Sequence, residues 1–96
     1  MTNANLVNII VNITAKVLGI NRADIEKPYT SSENVSEART VIAKVSVSYG
    51  LPISVIRRAL NRDENLTLYY LAHDAKQETI YEVKKQVDFY LEQVKD

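Results

Sequence analysis

The sequence predicts an all-α fold, a compact bundle of about five to six helices, from the spacing of its apolar residues, its turn residues and its composition. Apolar residues recur three and four positions apart in successive stretches, the period of an amphipathic helix. Glycine and proline number two each, too few for the turn-rich connections of a β-sandwich or barrel. With 46% hydrophobic and 25% charged residues the chain matches a globular domain rather than a disordered one. Its 96 residues make one domain, 1–96, with no room for a second core.

The first helix is expected over residues 5–18. Leu6, Ile9, Ile10, Ile13 and Val17 fall at helical spacing, with Asn8, Asn12 and Lys16 on the other side. Gly19 follows as a stop, because the residue after a helix often needs positive φ. Asn21 is a cap for one short turn that includes Asp24 and Ile25, and Pro28 closes it. Residues 27–34 read as a polar loop. The next stretch is ambiguous at first sight. Asn34, Val35, Ser36 and Glu37 resemble a capping box, and Ala38, Val41, Ile42, Val45 and Tyr49 keep the helical period. Yet Val41, Ala43, Val45, Val47 and Tyr49 also alternate in a run rich in β-branched residues. A lone strand would have no pairing partner elsewhere in the chain, so a helix is expected.

Gly50 ends that element, and Pro52 suits the first turn of the next. Ile53, Ile56 and Leu60 form its apolar stripe, flanked by Val55 and Ala59, with Arg57 and Arg58 beside it. Asn61 tolerates the left-handed conformation of a tight inter-helix turn. Asp63 can then cap a helix running through Leu66, Tyr69, Tyr70, Ala72 and His73. Two short helices joined by so few residues have the outline of a helix-turn-helix. A last amphipathic helix, about 78–95, carries Ile80, Val83, Val87, Tyr90, Leu91 and Val94 inward. Lys84, Lys85, Asp88 and Glu92 are expected outside, with Lys84 four residues before Asp88. Whether this helix continues its predecessor or breaks near Gln77 is left open by the sequence.

Several function classes drop out. The chain has no cysteine, so disulfides, thiolate metal sites and cysteine nucleophiles are excluded together. One histidine, His73, cannot build a histidine zinc site. Apolar runs stop well short of the roughly 18 residues of a membrane span. Residues 1–5 lack the basic start of a secretion signal, and a cytoplasmic location is the expectation. No phosphate-cradling glycine loop, G-x-S-x-G elbow or carboxylate pair appears, so the chain reads as a non-enzyme without metal, cofactor or small-molecule substrate. Twelve basic residues balance twelve acidic ones, so binding to nucleic acid depends on how the charge is distributed.

One stretch is more specific. Ala38-Arg39, Gly50-Leu51-Pro52, Ile56, Ala59-Leu60, Arg62-Asp63 and 68–71 (Leu-Tyr-Tyr-Leu) resemble the C-terminal DNA-binding domain of the bacterial replication initiator DnaA. The opening helix and the turn at 20–25 fit the same layout, so the resemblance covers about 5–75 and leaves out the final helix. It implies a Trp-repressor-like helix-turn-helix that binds double-stranded DNA with one helix in the major groove, in a bacterial or phage setting and in replication initiation or its regulation. The family's Arg-Asp-His-Thr/Ser-Thr-Val signature reads Arg62-Asp63-Glu64-Asn65-Leu66-Thr67 here. The base-reading histidine is thus replaced by Glu64, and the loop that is basic in the family carries Glu33 and Glu37. Binding to the initiator's own recognition box is not expected.

The candidate DNA-binding residues are Arg57, Arg58, Arg62, Asp63, Asn65 and Thr67. The arginines are suited to phosphates, and Asn65 and Thr67 stand in the first turn of the helix expected to reach base edges. Each has a plainer reading. The arginines can form a solvated face paired with Asp63 and Glu64, and Asp63 can simply cap. Tyr69 and Tyr70 are expected to fill the core, His73 to sit on the surface, and Lys84 and Lys85 to face solvent. The competing function is a helix-turn-helix that has lost base reading and serves as a protein-interaction or dimerisation module. Four clustered basic residues, with Arg39 or Lys44 joining the arginines beside Asn65, would favour DNA. A broad exposed apolar patch on Tyr69, Tyr70 or the final helix would favour a protein partner.

Overall fold

A computed structural model describes residues 1–27 and 32–94. Among them are six helices and no strand: α1 Asn3–Leu18, α2 Arg22–Glu26, α3 Glu33–Ser48, α4 Ile53–Leu60, α5 Glu64–Ala72 and α6 Gln77–Gln93. Pro28 and the rest of residues 28–31 of the expected polar loop lie outside the described residues, as does residue 95, the expected end of the last helix.

Local chemistry sets most of the boundaries. Thr2 caps α1 through a hydrogen bond from Asn5 N, two residues before the expected start. Gly19 ends it in the left-handed region, at φ 66°. Asn21 Oδ1 accepts from Ala23 N and starts α2. The Asn34 capping box does not form. Ser32 Oγ accepts from Val35 N instead, so α3 starts at Glu33 and Asn34 lies inside its first turn. Pro52 is the residue before α4, not within its first turn. Asn61, at φ 54° and ψ 47°, closes α4 and turns the chain into α5. A break between Ala72 and Gln77 separates α5 from α6, which answers the question left open at Gln77.

α3 is the hub and packs against all five other helices. Val35, Ala38, Val41, Ile42, Ala43 and Val45 are buried on it, and so are Arg39, Thr40 and Ser46. A helix buried nearly all round needs no polar face, which explains why β-branched residues fill it and why its period looked ambiguous. α1 lies between α3, α4 and α6, and its buried stripe is Val7, Ile10, Val11, Thr14 and Ala15. The expected stripe is therefore rotated: Leu6, Ile9, Ile13 and Val17 are only half-buried at its edges. On α6, Val83 and Val87 are fully buried, with Ile80 and Leu91 packed at the core's margin. Tyr90 and Val94, expected inside, are 42% and 48% exposed.

Two polar devices tie the bundle together. Arg39 is 2% exposed and donates to three carbonyls at the end of α2: Ile25 O at 3.0 Å, Asp24 O at 3.2 Å and Lys27 O at 2.9 Å. It also donates to Tyr70 Oη at 3.2 Å. A helix leaves its last carbonyls without intrahelical partners and with partial negative charge, so a cation there satisfies hydrogen bonding and dipole together. At the other end, the Tyr49 hydroxyl donates to Asp88 and to Lys84 O, which joins α3 to α6. Burial, and then the hydrogen bond it donates to the Asp88 carboxylate and that group's negative charge, hold the Tyr49 phenol well above its ordinary range. Asp88 makes no ion pair with Lys84, contrary to the four-residue spacing, because the only ion pair among the described residues joins Lys27 and Asp24.

Candidate nucleic-acid interface

The candidate residues lie on α4, on the three-residue turn after it and on the first turns of α5, and they divide into surface and support. Arg57 and Arg58 end α4 and are exposed. Among the described residues neither guanidinium makes a hydrogen bond or ion pair, so the pairing with Asp63 and Glu64 considered from sequence does not occur. Asn65 and Glu64 are also exposed, in the first turn of α5. Asn65 borders a shallow cleft of about 350 Å³ with Asp63, Leu66 and Tyr69.

The remaining three are occupied by the fold. Arg62 is half-buried and donates to Lys27 O at 2.6 Å, Asn61 O at 3.0 Å, Leu60 O at 3.4 Å and Glu26 O at 3.5 Å. It therefore clamps the α4–α5 turn to the end of α2, as Asn61 does through Nδ2 on Glu26 O. Its acceptors are all neutral carbonyls, so its positive charge is not cancelled. Asp63 is the cap of α5, accepting from Leu66 N at 2.7 Å. Thr67 corrects the sequence expectation outright. It is fully buried and its hydroxyl donates to Asp63 O at 2.8 Å, so it has no surface to offer a base edge.

Arg39 and Lys44, the two residues that might have extended the arginine cluster, do not. Arg39 is in the core, and Lys44 donates from Nζ to Leu71 O at 2.9 Å, near the end of α5. Arg22 takes the place expected for them. It borders a cleft of about 260 Å³ between α1 and α4 together with Arg58, and it is held by Asn12 Oδ1 and Asn8 O, again neutral acceptors. Sequence reasoning missed Arg22 because its neighbours give no sign of it. Asn8 and Asn12, four apart on the polar side of α1, are the signal that could have found it.

Tyr70 fills the core as expected, 8% exposed, but Tyr69 is 54% exposed and packs beside His73, ring centroids 4.1 Å apart. Lys85 faces solvent and Lys84 is half-buried. α6 exposes Tyr81 and Phe89 at 69% and 68%, beyond the Tyr90 and Val94 already noted. Among the described residues no group of histidine, cysteine and carboxylate side chains is placed to hold a metal ion, and no helix is long and apolar enough to cross a membrane. No family model matches the chain, and neither does any curated protein or solved structure.

Proposed function

We propose that the chain binds double-stranded DNA through α4 and α5, used as an initiator-like helix-turn-helix. The observation that carries this reading is the adjacent, exposed pair Arg57 and Arg58 at the end of α4, with no acidic partner among the described residues, on the helix that precedes Asn65 in the chain. Arg22 and Arg62 add two charges held only by neutral oxygens. In this reading Arg57, Arg58, Arg22 and Arg62 face phosphates, and Asn65 stands where a bidentate contact to adenine is possible. Asp63 supports α5 rather than touching DNA, and Thr67 has no part. Four phosphate contacts on a neutral chain suit modest affinity with little sequence selection.

The test is fluorescence anisotropy of a random-sequence duplex over a salt series, beside an Arg57→Ala/Arg58→Ala variant. The logarithm of affinity should fall against the logarithm of salt with a slope of about −3 to −4 for four phosphates. Absence of binding at low salt would end the reading for this chain.

A second reading, a protein-interaction module built on the same fold, is favoured by one specific observation. α6 exposes Tyr81, Phe89 and Tyr90, Val94 just after it is exposed too, and α5 adds Leu66, Leu68 and Tyr69. These are the exposed aromatic and aliphatic residues a protein interface uses. It becomes the better account if duplex DNA fails to bind.

A further inference from the structure

A cleft of about 750 Å³ lies between the start of α3 and the end of α5, and neither Arg57 nor Arg58 lines it. Three carboxylates, Glu33, Glu37 and Asp74, line it against one cation, Lys76, and Tyr69 and His73 supply an aromatic wall. Carboxylates alone do not define a binding site. Thr40 adds an independent sign. It is 3% exposed, lines the same cleft, and makes no hydrogen bond through its hydroxyl. Ser46 Oγ is the only fully enclosed unpaired side-chain oxygen among the described residues, so the Thr40 hydroxyl opens into the cleft. A nearly buried hydroxyl facing an open cavity is an acceptor held ready for a donor.

The chemistry narrows the occupant. A phosphate or other anion is repelled by three carboxylates. A metal ion does not fit, because these side chains do not converge closely enough to ligate one. A planar guanidinium does fit, since it stacks on aromatic rings and presents five donors to carboxylates and a hydroxyl. The chain itself carries two such groups, exposed and without acidic partners among the described residues, in Arg57 and Arg58.

We propose that the α3–α5 cleft receives the Arg57–Arg58 end of α4 from a second copy of this chain. One guanidinium enters against Tyr69 and Thr40, and its neighbour meets the carboxylates at the rim. The contact is head to tail, since the arginines of one copy meet the cleft of the next, so each copy keeps one free end and the assembly grows with concentration. It is electrostatic in origin and weakens as salt rises. The inference stands apart from DNA binding but shares the arginine pair, so duplex DNA that occupies Arg57 and Arg58 disperses the assembly.

The experiment is sedimentation velocity at about 0.5 mM chain in about 0.02 M and 0.5 M salt, a range over which screening of exposed charges changes severalfold. The wild type should run heavier than a single 10.9 kDa chain at low salt and as a single chain at high salt. A cleft variant, Glu37→Lys/Asp74→Lys, and an arginine variant, Arg57→Glu/Arg58→Glu, should each run as a single chain. Mixed together they should form a one-to-one dimer, because one keeps the arginines and the other keeps the cleft. Helical circular dichroism checks that each variant folds, and the milder Glu37→Gln/Asp74→Asn replaces the first if it does not. A wild type that stays a single chain at low salt overturns the proposal. So does either variant that still associates alone, or a mixture that fails to pair.

Discussion

The end of α2 and the end of α4 each gather arginines, and the two sites treat them in opposite ways. At the end of α2, Arg39 and Arg62 are surrounded by carbonyl oxygens from Asp24, Ile25, Glu26 and Lys27. At the end of α4, Arg57 and Arg58 meet water and have no acceptor among the described residues. Composition and spacing make the four look alike. What separates them is whether a helix terminus with unsatisfied carbonyls lies within reach, which only the packing of α2 against α3 and α4 decides. An arginine cluster in a small helical domain is therefore a mixture of struts and working surface, and half-buried Arg62, whose charge its neutral acceptors leave uncancelled, belongs to both.

The comparison breaks most visibly at Arg39. Replacing it with Met leaves one buried and two part-buried carbonyls and the Tyr70 hydroxyl without this donor, and should cost about 3 kcal/mol or more. For a domain of this size thermal unfolding should move down by roughly 15 °C, readable by circular dichroism. If Arg39→Met unfolds within a few degrees of wild type, the strut is not one. Arg62→Ala should cost less, about 1–2 kcal/mol, because water can replace part of a half-buried guanidinium. Asp63→Ala removes the α5 cap, for about 1 kcal/mol, while Asp63→Asn should recover most of it. Arg57→Ala/Arg58→Ala should leave stability within about 0.5 kcal/mol, as for exposed residues without partners.

The Tyr49–Asp88 link gives a pH test of the opposite end of α3. A phenol whose folded pKa is raised stabilises the fold while it stays protonated, and that contribution is intact below its unfolded value. Stability should therefore decline as pH rises above about 10, more steeply in the wild type than in Tyr49→Phe. Melting curves at successive alkaline pH values measure the difference, and parallel declines would remove Tyr49 from the account.

The sequence was most legible where structure is made locally. Gly19, Asn21, Asn61 and Asp63 all stop or start helices by contacts within a few residues, and each was readable. α3 was harder because burial on all sides erases the polar face that a period is read from, and its cap at Ser32 was mistaken for Asn34. Thr67 failed as a site residue because a helix that begins on the surface turns its fourth residue back into the core. Tyr69 and Tyr70 are adjacent and chemically identical, so only the packing of α5 on α3 decides which is buried. Arg22, Arg39 and Lys44 were opaque for one shared reason. Their partners are oxygens 10 to 31 residues away. Of the candidate surface, the exposed positions Arg57, Arg58 and Asn65 were in reach of the sequence, and the carboxylate cleft between α3 and α5 was not.

If Arg57 and Arg58 are working surface, the salt dependence of duplex binding must carry their charge. Duplex affinity is followed against salt for the wild type and for Arg57→Ala/Arg58→Ala. The variant should bind more weakly, with a log–log slope shallower by about 1.8, the share of two phosphate contacts. A variant with the wild-type affinity and slope, or a wild type that does not bind at low salt, would contradict it.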